Sequence, residues 1–162
     1  MEKQDLARER LAKLDSVLDE YESSIGLPKF TDTFHDDSAK NYLQLTRDQI
    51  EKLTPDQCSE AALLLSGLAF HLQRSYNREI ARINWADKIL KSTIAGKEQS
   101  YRGSWDSQFN QAVKEDGYAT KIADIKRYAQ QRADRLTYLS SSIKHMSDIF
   151  LSVQRSKVLK HG

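Results

Sequence analysis

Arg74, Arg78 and Arg82 stand four residues apart, a spacing that stacks their guanidinium groups along one side of a helix. Lys88, Lys91 and Lys97 continue the series at looser spacing, and Arg102 closes it. Tyr76, Trp85, Tyr101 and Trp105 are interleaved among these cations. Between residues 70 and 102 there are seven Lys+Arg against three Asp+Glu, a local balance of +4. Binding of single-stranded nucleic acid needs this combination, because cations neutralise phosphates and flat rings stack on unpaired bases. The candidate nucleic-acid-binding residues are therefore Arg74, Arg78, Arg82, Lys88, Lys91, Lys97, Arg102 and Trp105. The competing reading is a solvated helix face with its aromatic residues packed inside a helical hairpin. Lys126, Arg127, Arg132 and Arg135 form a second basic cluster, open to the same two readings.

Nothing in the chain has the spacing of an active site. There is no Gly-rich phosphate loop, no His-Glu-x-x-His and no nucleophile elbow. His35, His71, His145 and His161 fall in different segments, and His71 lies beside an apolar stripe as a packed helix histidine would. Asp32, His35, Asp36 and Asp37 lack the spacing of a calcium loop and read as a solvated acidic loop. Asp124 and Asp134 have basic neighbours and read as surface pairs. The single cysteine, Cys58, excludes an internal disulfide and a multi-cysteine metal site, and suits a reducing cytoplasm. The protein is expected to be no enzyme and to use no cofactor or metal.

The elements that must position the basic row are helices. Composition is 39% hydrophobic and 30% charged, with six Gly and two Pro, and no run of alternating β-branched residues suggests a strand. Thr54-Pro55-Asp56-Gln57 is a capping box with proline at the first helical position. Apolar residues then recur at helical spacing from Leu65 to Tyr101, which predicts one helix from Thr54 to Arg102, about 70 Å long. Only Gly67 and Gly96 weaken that pattern. Gly103 can close this helix and Ser104 can cap the next. Trp105 to Glu115 looks helical, and Gly117 permits a break after it. From Tyr118 to Lys160 a heptad runs through Ile122, Ile125, Ala129, Arg132, Leu136, Leu139, Ile143, Met146, Phe150 and Val153, with Arg132 as its one charged seam position. It predicts a second helix of about 60 Å folded back on the first, with a frayed tail from Lys157 to Gly162.

Ahead of this hairpin, residues 2–25 form an amphipathic helix with Leu11, Leu14, Leu18, Tyr21 and Ile25 on one face, ended by Gly26 and Pro28. A loop from Lys29 to Ser38 follows, anchored by Phe34 and His35. Ser38 to Leu45 adds one or two turns, and Thr46-Arg47-Asp48-Gln49 opens a short connecting helix ending near Leu53. The expected fold is all-α: a long antiparallel, coiled-coil-like hairpin plus an N-terminal helix and a short connecting helix. Two segments differ in charge. Residues 1–53 hold 8 Lys+Arg against 12 Asp+Glu, a balance of −4, and residues 54–162 hold 17 against 11, a balance of +6. The basic, oligomerising hairpin is the candidate for polyanion contact, and the acidic segment for a basic partner or for self-regulation. No apolar run approaches a membrane span, and the charged start Met-Glu-Lys-Gln-Asp is not a secretory signal, so a cytoplasmic location is expected.

From Glu60 onward the chain resembles the phage recombination mediator family UvsY. The resemblance rests on Glu60-Ala61-Ala62, on Phe70-His71-Leu72-Gln73, and on a long basic helix ending in Tyr101-Arg102-Gly103. It continues through Leu136-Thr137-Tyr138-Leu139 to a basic end at Ser152 to His161, covering roughly residues 58–160. It implies a homo-oligomer, a ring in that family's manner, that binds single-stranded DNA and helps a RecA-like recombinase replace the single-strand-binding protein in the host cytoplasm. By resemblance, the DNA-contacting position is Lys97, with Lys91 and Arg102 beside it. A different class competes with this: a structural or chaperone-like coiled-coil assembly protein without nucleic-acid binding.

Overall fold

Thr54 starts the longest helix as its residue types require. Its hydroxyl accepts from the Gln57 backbone N–H at 3.2 Å, and the Gln57 side chain accepts from the Thr54 N–H at 2.9 Å. Thr46 and Gln49 make the same reciprocal pair eight residues earlier in the corner. The computed structural model of the protein describes residues 3–32 and 37–161. Among them the regular elements are helices α1 (Lys3–Ser24), α2 (Ser38–Leu43), α3 (Arg47–Glu51), α4 (Pro55–Ile94), α5 (Trp105–Glu115), α6 (Gly117–Leu136) and α7 (Leu139–His161). Short 3₁₀ turns at Phe30–Asp32 and Glu98–Ser100 complete them, and the chain adopts the expected all-α class. Phe34, His35 and Asp36, the middle of the expected loop, lie outside the described residues, as do Glu2 and Gly162.

Two boundaries differ from the periodicity, each for a local reason. The long helix ends at Ile94 and not at Arg102, because Gly96 turns left-handed at φ +84°. Its 40 residues span about 60 Å. The break permitted at Gly117 is present: α5 ends at Glu115, and the Asp116 carboxylate accepts from the N–H groups of Tyr118 at 2.9 Å and Ala119 at 3.1 Å, so that it caps α6. Second, the helix expected from Tyr118 to Lys160 breaks at Thr137–Tyr138, where Tyr138 sits at φ +65° and is 80% exposed. The heptad continues across this break, so apolar spacing alone gave no sign of it. The tail expected to fray is helical to His161, and Lys157 donates to the carbonyls of Glu51 and Leu53.

The chain divides into two compact units, and α4 contributes to both. The first comprises residues 1–27 and 76–135. Its core is Ala7, Ala86, Leu90, Ile94, Ala112, Ala119 and Ile122, with Trp85, Tyr101, Phe109 and Val113 packed against it. Here α6 runs antiparallel to the end of α4. Lys126 meets Asp87 at 2.9 Å, and Arg132 meets Glu79. The second unit comprises residues 28–75 and 136–162, with a core of Ala61, Ala62, Leu65, Ala69, Ile143 and Phe150 under Ala39 and Ile50. Its α7 runs antiparallel to the start of α4. Ser140 donates to the Ala69 carbonyl at 2.7 Å, and the buried Ser147 donates to that of Ala62 at 2.8 Å. Each unit therefore contains one stretch of the expected hairpin.

Candidate nucleic-acid interface

The arginine row at the centre of α4 is not displayed to solvent, which corrects the expectation of a free cationic edge. In the second unit Arg74 is 5% exposed. It donates to the Pro28 carbonyl at 2.9 Å and lies 5.5 Å from the Phe30 ring centroid and 5.8 Å from that of Phe70. In the first unit Arg78 is buried against Asp19 and Glu22 of α1, the latter at 3.0 Å. Burial alone would favour its neutral form, but the two carboxylates outweigh that and hold it firmly cationic. Arg82 takes both oxygens of Asp15 at 3.2 and 3.0 Å, and Glu79 at 3.0 Å. Glu79 is also gripped by Arg132 through two bonds of 2.9 and 3.0 Å. These guanidinium groups are held in charge-assisted bonds, the strongest kind the chain makes.

The remaining candidates lie in the first unit at the end of α4 and just beyond. Lys88 and Arg102 are exposed and bonded to nothing among the described residues. Lys91 makes an i,i+4 pair with Asp87 at 2.9 Å and stays largely exposed. Lys97 reaches Asp116 at 2.9 Å and is half exposed. Lys91 first and Lys126 second hold the Asp87 carboxyl below its ordinary range. Lys97, then the Ala119 N–H, does the same for Asp116. Trp105 opens α5, whose first turn is capped by Ser104 through a 3.3 Å bond from the Ser107 N–H. It is 58% exposed and stacks on Phe109 with ring centroids 5.2 Å apart and planes 27° apart. Trp85 and Tyr101 pack inward, as the competing reading foresaw, and the Tyr101 hydroxyl donates to Glu115. That bond raises the Tyr101 pKa.

A feature not read from the sequence lies beside the stacked pair. Between α5, α6 and the end of α4 runs an open groove of about 400 Å³. Leu90, Phe109, Val113 and Ala123 make its apolar floor, and Asn110, Gln130 and Gln131 bring amides to it. Lys126 and Arg127, two members of the second basic cluster, line it as cations. Arg127 pairs with Asp124 at 3.0 Å and lies 5.0 Å from the centroid of the half-exposed Tyr128 ring. Arg135 is exposed, with its side chain on the Gln131 carbonyl at 3.3 Å. Sequence spacing could have found this groove only by setting Phe109 and Val113 of α5 against Lys126 and Gln130 of α6, which needs the break at Asp116. Among the described residues no cluster of His, Cys, Asp or Glu could hold a metal, and no helix is long and apolar enough to cross a membrane. No protein-family model, curated protein or solved structure matches the chain.

Proposed function

We propose that the protein is a single-stranded DNA-binding recombination mediator, an accessory factor of phage homologous recombination that helps a RecA-like recombinase displace the single-strand-binding protein. The observation that carries the DNA-binding part is the Trp105–Phe109 stack, more than half exposed at Trp105, in the unit that also presents Lys88, Lys91 and Arg102 to water. An exposed ring and free cations in one unit suit unpaired bases and their phosphates, with no sequence preference required. The recombination role rests on the UvsY resemblance over residues 58–160. Self-association is favoured by Val17 and Tyr21 on α1 and Ile25 just beyond its end, large apolar residues four apart that are 54, 62 and 57% exposed.

Anisotropy of labelled oligothymidine across a salt series tests the reading. Affinity is expected to fall with salt at a slope of about −0.7 per phosphate neutralised. Replacing Lys88, Lys91 and Arg102 together by alanine should flatten that slope by about 2, with circular dichroism unchanged. No binding at low salt would refute it. A second reading, an assembly scaffold without nucleic acid, draws on the capture of Arg74, Arg78 and Arg82 inside the units. It predicts no anisotropy change, with an oligomer still present by light scattering.

A further inference from the structure

We infer that the groove between α5 and α6 is a nucleobase pocket: an unstacked base lies on Phe109 and Val113, and its backbone phosphate is gripped by Lys126 and Arg127. This rests on the proposed single-strand-binding reading and assigns the bases, as distinct from the phosphates, a place on the protein. Four observations point the same way.

The first is size. At about 400 Å³ the groove is near the lower end of small-ligand sites, roughly 300–1,000 Å³, which suits one flat ring and its sugar rather than a partner helix. The second is rigidity. Phe109 is backed by Trp105 and packed against the core of the first unit, so its ring is already held in place. A base landing on it loses freedom, but the protein loses little.

The third is the match of polar groups. Asn110 and Gln131 carry amides that bond to nothing among the described residues. An amide both donates and accepts, as the edge of a base does. An aliphatic peptide side chain in the groove would use neither function. The fourth is charge. Arg127 is held by Asp124 in an exposed pair, and Lys126 by Asp87 in one a third or more exposed on each side, so both are screened by water. A phosphate can replace either carboxylate without exposing a buried charge. Arg78 differs, because its own side chain is only 8% exposed and a phosphate has little access to it.

The test compares oligothymidine with an abasic strand of equal length, at one salt concentration, using the full chain. Base-on-ring stacking should favour the base-bearing strand by roughly fivefold to a hundredfold. Ala123→Met fills the floor of the groove. It should bring the two affinities together in a variant whose circular dichroism is unchanged. Gln131→Ala, at an exposed position, should reduce the preference severalfold with no effect on folding. Equal affinity for the two strands in the native protein would overturn the inference, as would a full preference retained by folded Ala123→Met. Failure of both strands to bind at low salt would remove the single-strand reading itself and this pocket with it. Binding without base preference would remove only the pocket.

Discussion

Arg78 offers a test of whether the central arginines are structural, through an asymmetry in what its removal and its abandonment cost. Its side chain is 8% exposed, whereas Asp19 is 58% and Glu22 18% exposed. In Arg78→Met the packed stem is kept, and the charges left behind sit on carboxylates more exposed than the guanidinium they lose. The cost should be about 1 kcal/mol, close to that of a single net hydrogen bond. In the double variant Asp19→Asn, Glu22→Gln the guanidinium remains buried with its countercharges gone. Breaking a buried pair in that direction costs about 3–5 kcal/mol, and the lower end applies because both amide oxygens still accept. At about 2–4 °C per kcal/mol for a chain of this size, the shifts in Tm are about 2–4 °C and about 6–12 °C. Both tryptophans, Trp85 and Trp105, belong to the first unit, so tryptophan emission during urea or thermal unfolding reads this unit directly. Oligothymidine affinity should be the same in Arg78→Met as in the native protein. An Arg78→Met variant as destabilised as the double variant, or one with weakened DNA binding, would refute the reasoning.

Three further outcomes follow from single sites. Asp116 caps α6 and holds Lys97, and both interactions depress its pKa, so its contribution is complete above about pH 4 and is lost as pH falls through the lower folded value. Asp116→Ala should cost about 1–2 kcal/mol at neutral pH. Asp116→Asn should flatten the acid side of the tryptophan-monitored stability profile, and an unchanged acid slope would contradict the assignment. Cys58 is wholly buried, and burial pushes its thiol pKa up, with Lys157 opposing less strongly. Its reaction with a thiol reagent at mildly alkaline pH should therefore be slow until denaturant is added; prompt labelling of the native protein would contradict the packing at the start of α4. Tyr138 holds a left-handed backbone with its side chain in water, so Tyr138→Asn, which tolerates that conformation, should stabilise by up to about 1 kcal/mol in urea unfolding. A loss of stability would mean the ring has a packing role.

Much of the fold was legible because helix signals are local. The boxes at Thr46 and Thr54, the stop at Gly26 and the cap at Ser104 each depend on residues within one turn of each other. The break permitted at Gly117 was legible, whereas those at Gly96 and Tyr138 were not, for different reasons. Glycine within a helix costs only about 1 kcal/mol, so Gly96 alone cannot decide between passing through and turning. The heptad runs through Tyr138 without a fault. Arg132, read as the one charged seam position, faces the buried carboxylate of Glu79.

The candidate site was half legible, and the missed half shows what periodicity omits. Stepping four residues along a helix places Arg78 and Arg82 on one edge, but it says nothing about what lies opposite. The complement was present in the chain: Asp15, Asp19 and Glu22 of α1 recur at steps of four and three, the spacing of one helix face. Laid antiparallel, Asp15 meets Arg82, and Asp19 and Glu22 meet Arg78. Two rows of opposite charge and equal pitch in one chain satisfy each other before any external polyanion arrives, because no second molecule has to be immobilised. A cationic row is therefore an argument for nucleic acid only after the chain's own acidic rows have been matched to it. Lys88 and Arg102 pass that test, since no described carboxylate pairs with either, and the Trp105–Phe109 stack lies in the same unit.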